Sequence, residues 1–324
     1  MANKVLIKNS GFAQQLAKNV GTKIDGDPLW CARFNATNPD AVIQTYLDGL
    51  EDGADIISTN TYQASVDGYM QYLSLTKEES IELIKKTVKH AHTAREKWLA
   101  KIGKTLEENN GFPLISGSVG AYGAHLHDGS EYTGDYADTV DADTFKKWHK
   151  MHIDAILDVG VDCLCIETIP CQAESKAIIE MLCDDYPDVK FWITHQCKDD
   201  KNLAHGEPLG EVCQMIWDHL KARNLTKNCY AVGANCVKPK FVTSLFKSVN
   251  GGKKPEEYIP LVVYPTSGET YEKDIGWVKK GDCPPIEGFI PEWVALGLRI
   301  LGGGCRTSSK DAQKFKDVLE GLNK

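Results

Sequence analysis

The chain has 324 residues, 42% of them hydrophobic and 25% charged, with a formal net charge of −8. That balance excludes a disordered chain, and an acidic surplus with no basic stripe excludes nucleic-acid and anionic-membrane partners as natural expectations. No window approaches the roughly 18 apolar residues of a membrane span. The N-terminus, MANKVLIKNSGF, lacks a secretory apolar run, so a cytoplasmic location is expected.

Short apolar, β-branched runs alternate with longer amphipathic stretches. KVLIKN (4–9) predicts a first strand. Pro39-Asp40 then opens a helical stretch over 40–52 that places Val42, Ile43, Tyr46 and Leu50 on one face. ADIISTNTY (54–62) is the second strand, and Thr76 starts a helix over 77–102. LISGSVG (114–120) is the third strand; the Gly-, Asp- and Tyr-rich segment after it, 121–142, has no periodicity and is expected to be a long functional loop.

Helical patterns over 143–158, 172–184, 209–223 and 240–249 then separate CLCIETI (163–169), FWITHQC (191–197), YAVGANC (230–236) and IPLVVYP (259–265). LRILGGGC (298–305) is the eighth strand, and a helix over 309–322 closes the chain. Eight strand–helix units, with strands apolar enough to be buried on both faces, imply an α/β fold with a closed parallel sheet. The expectation is a single-domain (β/α)₈ TIM barrel over 1–324.

In such a barrel the active site lies where strands end, and the strand ends here are polar. They bring Asn9, Tyr62, Ser118, Glu167, Thr168, His195, Cys197, Cys236, Thr266 and Cys305 towards one rim. The eleven cysteines are odd in number and scattered, which argues against a disulfide framework. Cys236 ends the sixth strand and Cys305 the eighth, two strands apart around the rim, where two thiolates would suit zinc. Glu167, an acidic residue after an apolar run, is placed to meet a cation.

Several segments together resemble the homocysteine S-methyltransferase family: DPLWCAR (27–33), GADIISTNTYQAS (53–65), GSVGAYGA (117–124), DGSEYTGDY (128–136), IETIPCQAE (166–174), GANCVKP (233–239), YPTSGE (264–269) and GGGCRT (302–307). The resemblance runs from about residue 4 to the last helix. It is strongest to the branch using S-methylmethionine or S-adenosylmethionine, with a related betaine-using branch whose C-terminal oligomerisation segment is longer.

The resemblance implies methyl transfer from a sulfonium to the thiol of homocysteine, forming methionine, on a Zn²⁺ ion held by three cysteines. Two of them match Cys236 and Cys305. The third falls on Gly304, so His195 or Cys197 is left as a possible replacement. It further implies that Glu167 and the Asn9 region hold the substrate ammonium, that backbone near Ser10 and Gly11 receives the carboxylate, and that Tyr62 lines the pocket near the sulfur. Ser118, Thr168 and Thr266 would complete the substrate site. Tyr122 and Tyr132 would face the sulfonium by cation–π attraction. Asn9 stands where the family has Asp, Thr266 where it has Asn and Ala121 where it has Pro. The partners expected are small molecules, and the short C-terminus points to a monomer. Gly304 motivates one alternative, a barrel that binds an amino acid or thiol without metal chemistry.

Overall fold

A computed structural model describes residues 4–272, 276–279 and 283–322. Eight parallel strands are present: β1 (Leu6–Ile7), β2 (Ile56–Ser58), β3 (Leu114–Val119), β4 (Cys163–Ile169), β5 (Phe191–His195), β6 (Cys229–Asn235), β7 (Leu261–Tyr264) and β8 (Leu298–Leu301). They are hydrogen-bonded in the order β1-β8-β7-β6-β5-β4-β3-β2. A parallel bridge between Lys8 and Ile56 joins the two ends of that series. Asp55 N–H donates to Ile7 O at 2.7 Å and Asn9 N–H to Ile56 O at 2.8 Å across the same seam. The sheet is a barrel, as the strand–helix alternation predicts.

The side-chain period of two divides each strand's residues between lumen and helices. Ile56, Cys163, Cys165, Trp192, Ala231, Val262, Tyr264 and Ile300 form the buried lumen cluster. The opposite faces of the strands pack on the surrounding helices in one large cluster and a smaller one beside the first strands. Most of the cysteines belong to these cores. Their burial pushes the thiols up, so they act as small apolar groups.

The predicted helices appear as Pro39–Glu51, Lys77–Lys101, Ala142–Leu157, Gln172–Asp185, Leu209–Ala222, Pro239–Asn250 and Asp311–Leu322. Asn38 caps the first of them through Ala41 N–H, with Pro39 in the first turn. Thr76 and Glu79 form a reciprocal capping box on the second. Four short helices escaped the periodicity reading: Phe12–Val20, Phe34–Thr37, Val66–Leu73 and Ile290–Ala295. The first buries only Ala13 and Leu16, too few positions for a visible stripe. A two-stranded hairpin, Thr270–Glu272 with Gly276–Val278, also lies between β7 and β8. Several predicted strands end earlier than expected; residues 302–305 leave the sheet after Leu301, for example. No helix among the described residues is long and apolar enough to cross a membrane.

Candidate active site

A cavity of about 790 Å³ opens at the C-terminal end of the barrel strands. Of the residues singled out in the sequence, Asn9, Tyr62, Ser118, Tyr132, Glu167, Thr168, Cys236, Thr266 and Cys305 line it. Lys8, Glu131 and Trp30 line it too, and sequence reasoning assigned none of these a role. Lys8 carried a legible signal, a charge at the end of an otherwise apolar strand. Glu131 carried little, because acidic residues are common in loops.

The Cys236 and Cys305 thiols both line the cavity and lie near enough to perturb each other. Cys236 draws the Cys305 thiol below its ordinary range, while Cys305 and burial push Cys236 well above it. The pair therefore gives up a first proton readily and a second one reluctantly.

Cys236 and Thr168 sit on constrained backbone. Cys236 has φ 53° and Thr168, at the end of β4, has φ 66°, a left-handed conformation that is unfavourable for a β-branched residue. Asn235 holds the two together. Its Oδ1 accepts from Thr168 N–H at 2.8 Å, and its Nδ2 donates to Thr168 Oγ1 at 2.8 Å and to Cys236 Sγ at 3.3 Å. On the Cys305 side, Gly304 N–H donates to Pro265 O at 2.7 Å and Ser267 N–H to Cys305 O at 3.1 Å. Arg306, the next residue, pairs with Glu269 at 2.9 Å.

Glu167 projects from β4 and accepts a short hydrogen bond from Ser118 Oγ. Asn9 Oδ1 accepts from Ser58 N–H at 3.1 Å, which fixes the amide between β1 and β2. Burial pushes the Tyr62 phenol well up, with Glu131, Cys236 and Glu167 adding to it, so this hydroxyl keeps its proton. Thr266 Oγ1 accepts from Gly268 N–H at 3.2 Å and shapes the turn after β7. Glu131, only 9% exposed, has its carboxyl pushed up to about 7, chiefly by burial.

Five expected site residues lie elsewhere. His195 is fully buried, with Nδ1 facing Gly233 O and Nε2 facing Ser175 Oγ, each at 3.0 Å. Burial brings its pKa down to about 4. Cys197 is packed in the outer core. Neither residue lines the cavity, so neither supplies the third ligand in this arrangement. Tyr122 also lies off the cavity. Its N–H donates to Glu174 at 2.6 Å and its ring packs on Tyr136, Phe145 and Trp148. Ser10 Oγ is taken by Gly303 N–H at 2.8 Å, and Gly11 N–H by Gly303 O at 3.3 Å. The Ser10 hydroxyl and the Gly11 N–H are thus used in joining β1 to the loop after β8.

The two thiols match zinc in kind, because sulfur is among its preferred donors. Among the described residues no group of three or more His, Cys, Asp or Glu is placed to hold a metal ion, so the protein offers two ligands here and not three.

Residues 6–319 match the family model described as homocysteine S-methyltransferase. The chain is 47% identical to a Drosophila melanogaster protein named betaine-homocysteine S-methyltransferase, over 98% of this chain and 95% of that one. It is 35% identical to homocysteine S-methyltransferase 1 of Arabidopsis thaliana, over 93% and 89% of the two chains. Its fold superposes on the metallated form of the homocysteine methyltransferase MmuM from Escherichia coli with a TM-score of 0.80 and 31% identity, covering 98% and 96%.

Proposed function

Because the chain belongs to the homocysteine S-methyltransferase family, we propose that it transfers a methyl group from a cationic donor to the thiol of homocysteine, forming methionine. The observation that carries this reading is the meeting of the Cys236 and Cys305 thiols in a cavity that also holds Glu167. Relatives named for catalysis, nearly full-length and up to 47% identical, weigh against the non-catalytic alternative.

Cys236 and Cys305 are the residues that would hold zinc, leaving the other positions to the acceptor's sulfur and to water. When bound there, the ion would supply the thiolate form of the acceptor at neutral pH. The chain's own groups do the rest. Glu167, oriented by Ser118, takes the substrate ammonium, with Asn9 beside it. Tyr62 and Thr168 shape the wall near the sulfur. Trp30, Tyr62 and Tyr132 offer aromatic faces to the donor's positive charge, and Glu131 adds a carboxyl. A thiolate and an onium cation lose opposite charges as the methyl moves between them, so a cavity that excludes water favours the transfer.

The donor proposed is a sulfonium, S-methylmethionine or S-adenosylmethionine. A second reading, betaine, is favoured by the name of the Drosophila relative. All three are methylated cations, and the same aromatic and acidic wall suits each. A methyl-transfer assay with homocysteine and each of the three donors, with and without added zinc, tests the proposal. Methionine is expected with at least one donor, at a rate that rises with zinc. No methionine with any donor under either condition overturns it.

A further inference from the structure

Lys8 is the odd residue of this site. It follows β1, points into the barrel and is only 8% exposed, yet it lines the cavity. Its Nζ lies 4.6 Å from the centroid of the Tyr264 ring. That ring is held in place: its hydroxyl bonds Thr194 Oγ1 at 2.8 Å and accepts from Trp192 Nε1 at 3.5 Å. The face offered to the ammonium is therefore fixed, and it offsets part of the desolvation. It does not neutralise the charge. Among the described residues Lys8 has no carboxylate within ion-pair distance, and a buried ammonium without an anion is costly.

Glu167 is the opposite charge in the same cavity. The Cys165 thiol, deeper in the lumen, is pushed up by burial and by Glu167 and drawn down by Lys8, so both charges act on it. Both line the cavity, with no ion pair between them among the described residues. The Ser10 hydroxyl and the Gly11 N–H, meanwhile, are already engaged with Gly303.

We propose that Lys8 is the carboxylate-binding residue of the acceptor site, so that Lys8 and Glu167 together read the zwitterionic head of an α-amino-acid thiol. The proposal rests on the reading of this cavity as the thiol site. It gives Lys8 a specificity role: the carboxylate completes a charge pair that the empty cavity lacks, and the thiol end then extends towards Cys236 and Cys305.

The test compares wild type with Lys8→Met and Lys8→Arg, using homocysteine, its decarboxylated thiol-amine analogue and its deaminated thiol-acid analogue. Binding is read by titration calorimetry without donor, and transfer by kcat and KM separately. Wild type is expected to prefer homocysteine over the thiol-amine by about tenfold or more, the size of one charge-assisted contact. Lys8→Met should erase that preference by raising the homocysteine KM and dissociation constant about tenfold, with kcat within about threefold. Lys8→Arg should recover part of it.

If folded Lys8→Met, checked by circular dichroism, keeps the wild-type ratio between homocysteine and the thiol-amine, the proposal is overturned and Lys8 is a lumen residue only. Homocysteine binding that depends on Lys8, without transfer from any donor, would retain this assignment and sink the proposed reaction. No binding of homocysteine to wild type would sink both.

Discussion

At the scale of single residues, Gly304 decides what the loop after β8 can carry. A Cβ built there would meet Tyr264 O at 2.7 Å and Pro265 O at 3.0 Å, both of them backbone atoms that cannot swing away. A cysteine at this position would press on the carbonyl that Cys236 N–H bonds at 3.2 Å. Gly304→Cys is therefore expected to destabilise the protein by about 1–3 kcal/mol. It should add no zinc over wild type. Differential scanning calorimetry with metal analysis checks both, and a variant with unchanged melting temperature and more bound zinc would show that the loop yields.

The rest of the rim shows the same tension. Thr168 and Cys236 keep left-handed backbones that cost on the order of 1–3 kcal/mol each, restrained by one asparagine. Site geometry here is held against local preference.

At the scale of elements, the long segment after β3 is not a free loop. Short 3-10 turns at Tyr122–Leu126, Ser130–Tyr132 and Asp135–Asp138 organise it. Glu174, on the helix after β4 and fully buried, ties it down. The carboxylate accepts from Tyr122 N–H at 2.6 Å and from the Tyr136 hydroxyl at 2.5 Å, and it faces His149 Nε2 at 2.7 Å. The turn that presents Glu131 and Tyr132 to the cavity lies between the two tethered tyrosines.

Removing the carboxylate leaves several buried partners without an acceptor. Glu174→Ala should cost roughly 3–5 kcal/mol, since each buried donor left unpaired costs about 1–3 kcal/mol. Limited proteolysis should then cut first within 121–142. Cleavage at wild-type rates in a variant of normal melting temperature would refute the tether.

At the scale of the whole molecule, buried titratable groups set the response to pH. Burial lowers His152 to about 3 and His195 to about 4, against 6.5 for an unhindered imidazole. Between those values the unfolded chain binds protons that the folded chain refuses, so stability rises with pH. This contribution is complete above about 6.5 and is lost as pH falls towards 4. Glu131 works the other way. Its carboxyl, raised from 4.5 to about 7, holds a proton in the folded state that the unfolded chain has released. Stability therefore falls as pH rises through that window.

The melting temperature is expected to climb from pH 4.5 to 6.5 under the histidines, with Glu131 flattening the rise. Glu131→Gln should steepen it, gaining most at pH 8 and nothing at pH 4. Thermal melts across that range decide it; parallel curves for the two proteins would remove Glu131 from the account.

What the amino-acid order determined alone was the architecture and the sulfur pair. The alternation of apolar runs with 3.6-period stretches depends only on local chemistry, and it placed eight strands and seven helices. The ends of strands six and eight must share a rim in any such barrel, which brought Cys236 and Cys305 together. The direction of side chains at or just beyond a strand's end was decided only in three dimensions. His195, Cys197 and Tyr122 carry the right chemistry but turn into packed surroundings, while Lys8, given no role by the sequence, turns into the cavity. A shift of one position reverses a side chain's face, and that register is settled by pairing and packing between segments far apart in the chain.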